Sequence, residues 1–189
     1  MALQPKPHIA AVRPGTHGGI NFCGTASSSA RPEAILDFST CCNPYGPPPS
    51  VSEALAQADT ALYPDPDCRE FTGLLSHKIG AAGGNLVATN GSTELLRLAA
   101  LAYTGHGDTA VIPSPTYGEY ELACQIAGAG IVKYRLKERT GFRLAAGDFI
   151  SFAHRHSPAA IFICNPNNPT GQYLALDRKS TRLNSSHRL

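Results

Sequence analysis

Apolar runs and helical stripes alternate along the second half of the chain. Leu86-Val87-Ala88-Thr89, Thr109-Ala110-Val111-Ile112, Gly130 to Arg135 and Ile161-Phe162-Ile163 read as strands. Between them lie helical patterns. One carries Leu95, Leu96, Leu98, Ala99 and Ala102; one runs from Glu119 to Ala127; a short one, capped by Asp148, reaches about His154. Strands and helices in turn from residue 85 to 165 predict a mostly parallel α/β sheet with helices on both faces and right-handed crossovers. The run Ile161 to Ile163 has no polar alternation, which suits a strand covered on both faces.

The first half is less regular. Residues 1–36 are rich in Pro, Gly, Ser and Ala and keep no period. Ser50 with Glu53 forms a capping box ahead of Val51, Ala54, Leu55 and Ala58. Asp67 and Glu70 open a second helix with Phe71, Leu74, Leu75 and Ile79 on one face, and Gly80 closes it. Residues 136–147 read as a surface loop. Lys133, Tyr134 and Arg135 are expected to point to solvent.

Candidate chemistry clusters where strands end. Asn165-Pro166-Asn167-Asn168-Pro169-Thr170-Gly171 follows the last apolar run. Its prolines end any ladder and favour extended geometry before them, so three asparagine amides are expected on a stiff loop. Loops at the C-terminal ends of parallel strands are where ligands bind. Asn90-Gly91-Ser92-Thr93-Glu94 leads a strand directly into a helix. Unsatisfied first-turn N–H groups, the helix dipole and two hydroxyls make that turn an anion site. Ser92 is equally a good N-cap, and both roles can hold together. Pro113-Ser114-Pro115-Thr116-Tyr117-Gly118 presents an aromatic ring after the next strand, while Tyr120 and Leu122 read as core or interface. Asn43-Pro44-Tyr45-Gly46-Pro47-Pro48-Pro49 and Tyr63-Pro64-Asp65-Pro66 are rigid turns.

These segments, in this order, resemble the fold-type-I pyridoxal-phosphate (PLP) enzymes of the class I/II aminotransferase family, near threonine-phosphate decarboxylases and histidinol-phosphate aminotransferases. The resemblance covers roughly residues 17–176. It implies a partial PLP-transferase large domain over 67–176, preceded over 1–66 by an N-terminal arm and part of a small domain. It implies PLP as cofactor, with its phosphate at Gly91, Ser92 and Thr93, its ring against Tyr117 and its phenolic oxygen at Asn168. Tyr63 would reach the phosphate of the other subunit of a homodimer. Asn43 and Gly46 would line the pocket for a small-molecule amino substrate. Cys41 stands where relatives usually carry Asn or Glu. His17-Gly18-Gly19 and Asp37-Phe38-Ser39 resemble threonine-phosphate decarboxylases more than histidinol-phosphate aminotransferases, which points to L-threonine O-3-phosphate decarboxylation in cobalamin biosynthesis; the alternative is transamination of histidinol phosphate or another amino acid. By itself His17 reads as a solvated loop histidine and Tyr63 as a turn aromatic. The family's Schiff-base lysine, its pyridinium aspartate and its carboxylate-binding arginine lie beyond the Asn-Pro-Thr-Gly segment, so no catalytic residue is assigned and the chain alone is expected to be inactive.

Composition sets the remaining bounds. The 189 residues are 42% hydrophobic and 16% charged, enough for one packed domain. The formal charge is +2, but Arg178, Lys179, Arg182 and Arg188 supply four of the cations. Without residues 177–189 the balance is 12 basic against 13 acidic residues. Residues 177–187 resemble the translation of a sequencing-library adapter, so the tail is set aside and its charge argues for no nucleic-acid partner. Six cysteines (23, 41, 42, 68, 124 and 164) form no C-x-x-C pair and no cluster at metal spacing, so reduced thiols in the cytoplasm are expected and no metal site. Lys6 and Arg13 precede no apolar segment, so neither a secretory signal nor a membrane span is expected. His154 and His156 read as solvated helix-end residues. A non-catalytic nucleotide- or phosphate-binding domain would carry G-x-G-x-x-G or G-x-x-x-x-G-K-[ST] after its first strand, and neither occurs. A third reading is a fragment whose open sheet edge keeps it from folding stably.

Overall fold

The computed structural model describes residues 4–12 and 36–175. His17, Gly18, Gly19 and the tail from residue 177 therefore lie outside the described residues. The chain divides into two compact units, one of Met1–Gly15 with Thr89–Leu189 and one of Thr16–Ala88.

The larger unit is built on three parallel strands, β1 (Thr109–Ser114), β2 (Gly130–Arg135) and β3 (Ala160–Ile161), in the order β2-β1-β3. Thr109 pairs with Gly130 and Ala110 with Ala160. Helices α4 (Gly91–Tyr103), α5 (Glu119–Ala127) and α6 (Ala146–His156) connect or flank them, and the single turn α1 (Pro7–Ala10) rests on α5. Strand alternation assigns the faces. Ala110, Ile112 and Ile131 pack with Cys124 of α5 and with Phe162. Tyr134, on the other face of β2, stacks edge-on against Phe149 and Phe152 of α6. Helices thus cover both faces of a partial parallel sheet, as the alternation of elements predicts.

Several local expectations change. Leu86 is extended, but residues 86–89 join no ladder, because no neighbouring strand lies beside them among the described residues. Ile161 is 39% exposed and Phe162 and Ile163 are half-buried, because β3 forms an edge of the sheet instead of its centre. Tyr134 packs instead of facing solvent. In α4 the face towards α5 carries Thr93, Leu96, Arg97 and Ala100, while Leu95 and Leu98 face outward. That helix is apolar on most sides, so its periodicity could not choose a face.

Helix caps move too. Asp148 lies inside the first turn of α6, whose cap position is Ala145. The smaller unit carries α2 (Pro49–Gln57) and α3 (Arg69–Ile79). Pro49 takes the first position of α2, where a missing N–H costs nothing, so Ser50 is not the cap. In α3 the cap position is Cys68, and the Asp65 carboxylate ahead of it accepts the N–H groups of Arg69 at 2.8 Å and Asp67 at 3.0 Å. Gly80 ends α3 with a left-handed φ of 67°, as expected. Phe71 and Leu74 on its apolar stripe are exposed.

Candidate functional site

In the larger unit, the loops that leave β1 and β3 meet at the C-terminal edge of the sheet. One side chain joins them. The Thr116 hydroxyl donates to Asn167 Oδ1 at 2.6 Å. Asn167 Nδ2 donates to the Pro115 carbonyl at 3.1 Å and to the Thr170 hydroxyl at 2.8 Å. Its backbone N–H donates to Gln172 O and its carbonyl accepts from Gly171 N–H, each at 2.7 Å. Gly171 has a φ of 67°, which a side chain would resist. Asn165 is also engaged: its Oδ1 accepts the Leu174 N–H at 2.7 Å. Two of the three asparagine amides therefore hold the loop together, and only Asn168 is left exposed at the surface. The residue pattern alone presents the three alike, and only the family resemblance singles out Asn168. The structure separates them, because only a folded loop shows which amides find backbone partners.

The Gly91-Ser92-Thr93 turn opens α4. Gly91 adopts a φ of 76° with open space where a Cβ would stand, so glycine is required by backbone conformation and not by crowding. Ser92 sits inside the first turn; the cap position is Asn90, whose N–H is taken by the Glu94 carboxylate reaching back from one turn on. First-turn N–H groups of a helix have no helical acceptor, so the turn keeps donors for an anion. Thr93 Oγ1 lies 3.4 Å from the Tyr117 hydroxyl, which connects this turn to the loop after β1. The buried Glu119, 1% exposed, receives Arg97 Nη2 at 3.1 Å and ties α4 to α5. Gly91, Ser92, Thr93, Tyr117 and Asn168 thus belong to one linked set of loops on one unit.

Tyr120 and Cys164 were not singled out as site residues from the sequence. The Tyr120 ring meets Tyr117 edge-on, with centroids 5.7 Å apart, and stacks on Phe162 at 5.4 Å. Burial, and next the hydrogen bond to the Cys164 thiol, push the Tyr120 phenol well above its ordinary range. An aromatic run such as P-T-Y-G-E-Y cannot say which ring faces a ligand and which supports it.

Asn43, Gly46 and Tyr63 lie in the smaller unit. Asn43 is engaged in its own turn: Oδ1 accepts the Tyr45 N–H and Nδ2 donates to Gly46 O, both at 3.1 Å. Gly46 has a φ of 72°. Tyr63 is 97% exposed. A cavity of about 380 Å³ also opens in the larger unit, lined by Pro113, Phe142, Leu144, Ile163, Asn165 and Leu174 among others. Pro113 and Ile163 alternate with Ile112 and Phe162, so it opens on the face away from Tyr120. None of the five linked candidates lines it.

A donor-rich helix turn, an aromatic ring and an exposed amide stand together at the C-terminal edge of a parallel α/β sheet. Residues 33–180 match the aminotransferase class I and II family, and the chain belongs to it. Over 133 residues it is 38% identical to a histidinol-phosphate aminotransferase of Moorella thermoacetica, a match covering 68% of this chain and 33% of that one. The fold resembles the crystal structure of histidinol-phosphate aminotransferase from Sinorhizobium meliloti in complex with pyridoxal-5'-phosphate, at a TM-score of 0.66 and 23% identity, covering 71% of this chain and 36% of that one. It also resembles L-threonine-O-3-phosphate decarboxylase from Porphyromonas gingivalis, at a TM-score of 0.55 and 24% identity, covering 71% and 39%. The chain spans about a third of the length of the Moorella relative. Among the described residues, no helix is long and apolar enough to cross a membrane.

Proposed function

We propose that this chain carries the phosphate- and ring-holding half of a PLP site in an enzyme acting on a phosphorylated amino compound. The observation that carries this reading is the linked set of loops, with free donors at the start of α4, the Tyr117 ring, and the one unengaged amide at Asn168. Such donors fit the cofactor. First-turn N–H groups with the Ser92 and Thr93 hydroxyls suit a dianionic phosphate. A flat phenol ring suits a flat heterocycle. A neutral amide donor suits a phenolate oxygen without adding charge. When bound, PLP supplies an electrophilic carbonyl and an electron-withdrawing ring for chemistry at an amino carbon. The chain's own residues hold, orient and neutralise it.

Relatives favour transamination of histidinol phosphate over decarboxylation of L-threonine O-3-phosphate. The second reading stands on Asp37-Phe38-Ser39, where the Asp37 carboxylate binds the Ser39 N–H at 2.7 Å, and on the His17-Gly18-Gly19 segment. Either reaction belongs in the cytoplasm. A homodimer accounts for Tyr63, whose exposed phenol is free to reach a partner's phosphate, and for Asn43 and Gly46 as a substrate-facing turn.

Titration of the 189-residue chain with PLP tests the cofactor reading. The chain has no tryptophan, so quenching of tyrosine fluorescence reports on Tyr117 and its neighbours. Saturable quenching, weakened by Asn168→Ala and by Ser92→Ala, supports it; no saturable binding sinks it. The reaction is decided by assay of the enzyme that carries this segment. Glutamate formed from 2-oxoglutarate and histidinol phosphate supports transamination, and carbon dioxide released from L-threonine O-3-phosphate supports decarboxylation.

A further inference from the structure

Tyr117 and Asn168 stand on different loops, one leaving β1 and the other leaving β3. Among the described residues no backbone–backbone hydrogen bond joins the two loops, so side chains set their separation. The residues just before each candidate make the link. The Thr116 hydroxyl donates to Asn167 Oδ1 at 2.6 Å, and both residues are half-buried. Asn167 Nδ2 donates to the Pro115 carbonyl on the first loop at 3.1 Å and to the Thr170 hydroxyl on its own loop at 2.8 Å. Each candidate has a second tether. The Tyr117 hydroxyl lies 3.4 Å from Thr93 Oγ1, and the Asn168 N–H donates to Cys164 Sγ at 3.4 Å. Ring and amide are therefore each one residue away from the same short hydrogen bond.

We propose that Thr116, acting through the Asn167 amide, is a positioning residue that sets the Asn168 amide against the Tyr117 ring, so that a ligand stacked on the ring presents its phenolic oxygen to that amide. The inference rests on the cofactor reading of the same site and extends it to two residues that lie beside the contacts and not on the ligand. Its physical basis is entropic. A ring and an amide on separate loops must each be ordered when a ligand binds, and prior fixing removes that cost. Threonine serves because its hydroxyl donates across the gap at the short distance of a well-made O–H···O bond. Asparagine serves because one amide accepts from Thr116 while its two N–H groups reach Pro115 and Thr170.

The test compares three probes on the 189-residue chain. PLP uses the α4 turn, the ring and the amide together. Its 3-deoxy analogue lacks the phenolic oxygen and so cannot use the amide, and inorganic phosphate uses the α4 turn alone. Thr116→Val keeps the side-chain shape and removes the hydroxyl. It is expected to weaken PLP about fivefold, the effect of one neutral hydrogen bond, and to leave the analogue and phosphate unchanged. A merely structural role would weaken PLP and its analogue alike. Thr116→Ser returns the hydroxyl and should restore PLP affinity. Because the hydroxyl acts through Asn167, Thr116→Val in an Asn167→Ala background should add nothing further. Unchanged PLP affinity in Thr116→Val, an equal loss for PLP and its analogue, no recovery in Thr116→Ser, or an added loss in the double variant would each overturn the proposal while leaving the cofactor reading intact. Failure of the unaltered chain to bind PLP would overturn both.

Discussion

Thr116 and Asn167, 51 residues apart, are joined by a hydroxyl-to-amide hydrogen bond of 2.6 Å. This bond turns two separate strand exits into one surface. Asn167 is committed on every polar atom, to Thr116, Pro115, Thr170, Gly171 and Gln172. Its neighbour Asn168, one peptide further on, offers its amide outward. A support and an exposed amide of the same residue type therefore sit side by side.

Replacing the two should have opposite consequences. Asn167→Ala strips partners from Pro115, Thr116 and Thr170 in a half-buried setting and should lower stability by about 1–3 kcal/mol. Asn168→Ala removes an exposed amide and should change stability by less than about 0.5 kcal/mol while weakening PLP. Urea unfolding followed by circular dichroism measures the first, and tyrosine quenching the second. Equal stability losses would contradict this division of labour.

The Arg97–Glu119 pair fastens α4 to α5. Glu119 is almost fully buried, whereas Arg97 keeps a side chain 43% exposed. Arg97→Ala leaves that buried carboxylate without its guanidinium, so a loss of about 2–4 kcal/mol is expected, discounted from the fully buried case for the arginine's exposure. Glu119→Gln keeps shape and a hydrogen bond and should cost less. Thermal melts of the two variants check the order, and a larger loss in Glu119→Gln would reverse the argument.

Patterns that depend on neighbours in sequence were legible before any coordinates. Glu119 to Ala127 and Gly130 to Arg135 appear with the expected bounds, because a glycine at each junction and a clear period leave little choice. Gly80 closes α3 for the same local reason. What failed depends on distant partners. Leu86 to Thr89 has strand composition but no strand beside it. The first helical N–H of α3, that of Arg69, is taken by the Asp65 carboxylate four residues earlier, with Cys68 in the cap position, and not by Asp67 or Glu70. Asn167 is part of a recognised motif, yet its supporting work needs Thr116, which sequence spacing does not connect to it. The glycine turn before α4 and the loop at Tyr117 stand out as motifs in the sequence; the Thr93–Tyr117 contact that joins them does not.

Cys124 offers a test of the α5 packing. Burial, with the Glu121 carboxylate adding to it, pushes its thiol up to about 11 from an ordinary value of 9.0. At pH 8 only about 0.1% would be thiolate, roughly a hundredth of the fraction at the ordinary value. Maleimide or disulfide-exchange labelling at pH 8 should therefore spare Cys124 in the folded chain and reach it after denaturation in urea. Exposed Cys41 and Cys42 should label first. Rapid native labelling of Cys124, located by peptide mapping, would mean that the face formed by Ala110, Ile112 and Cys124 does not close.

The smaller unit carries its own pH signature. The Asp65 carboxylate lies below its ordinary range, chiefly because it accepts the Arg69 N–H, then the Asp67 N–H. A carboxyl lowered in the folded state binds protons more readily when unfolded. Its contribution is therefore complete above the ordinary carboxylate value of about 3.9 and is lost as pH falls through the lowered folded value. Helicity of α3 should persist to about pH 4 and decay below it. Asp65→Ala removes the acceptor of the Arg69 N–H, the first donor of α3, and of the Asp67 N–H ahead of it, so at pH 7 it should reduce the helical signal by up to the 11 residues of α3. The variant should also lose the acid transition that the unaltered chain shows below about pH 4. Circular dichroism at 222 nm across that range makes the comparison. Superimposable acid titrations of the two chains would show that α3 is held by something other than this cap.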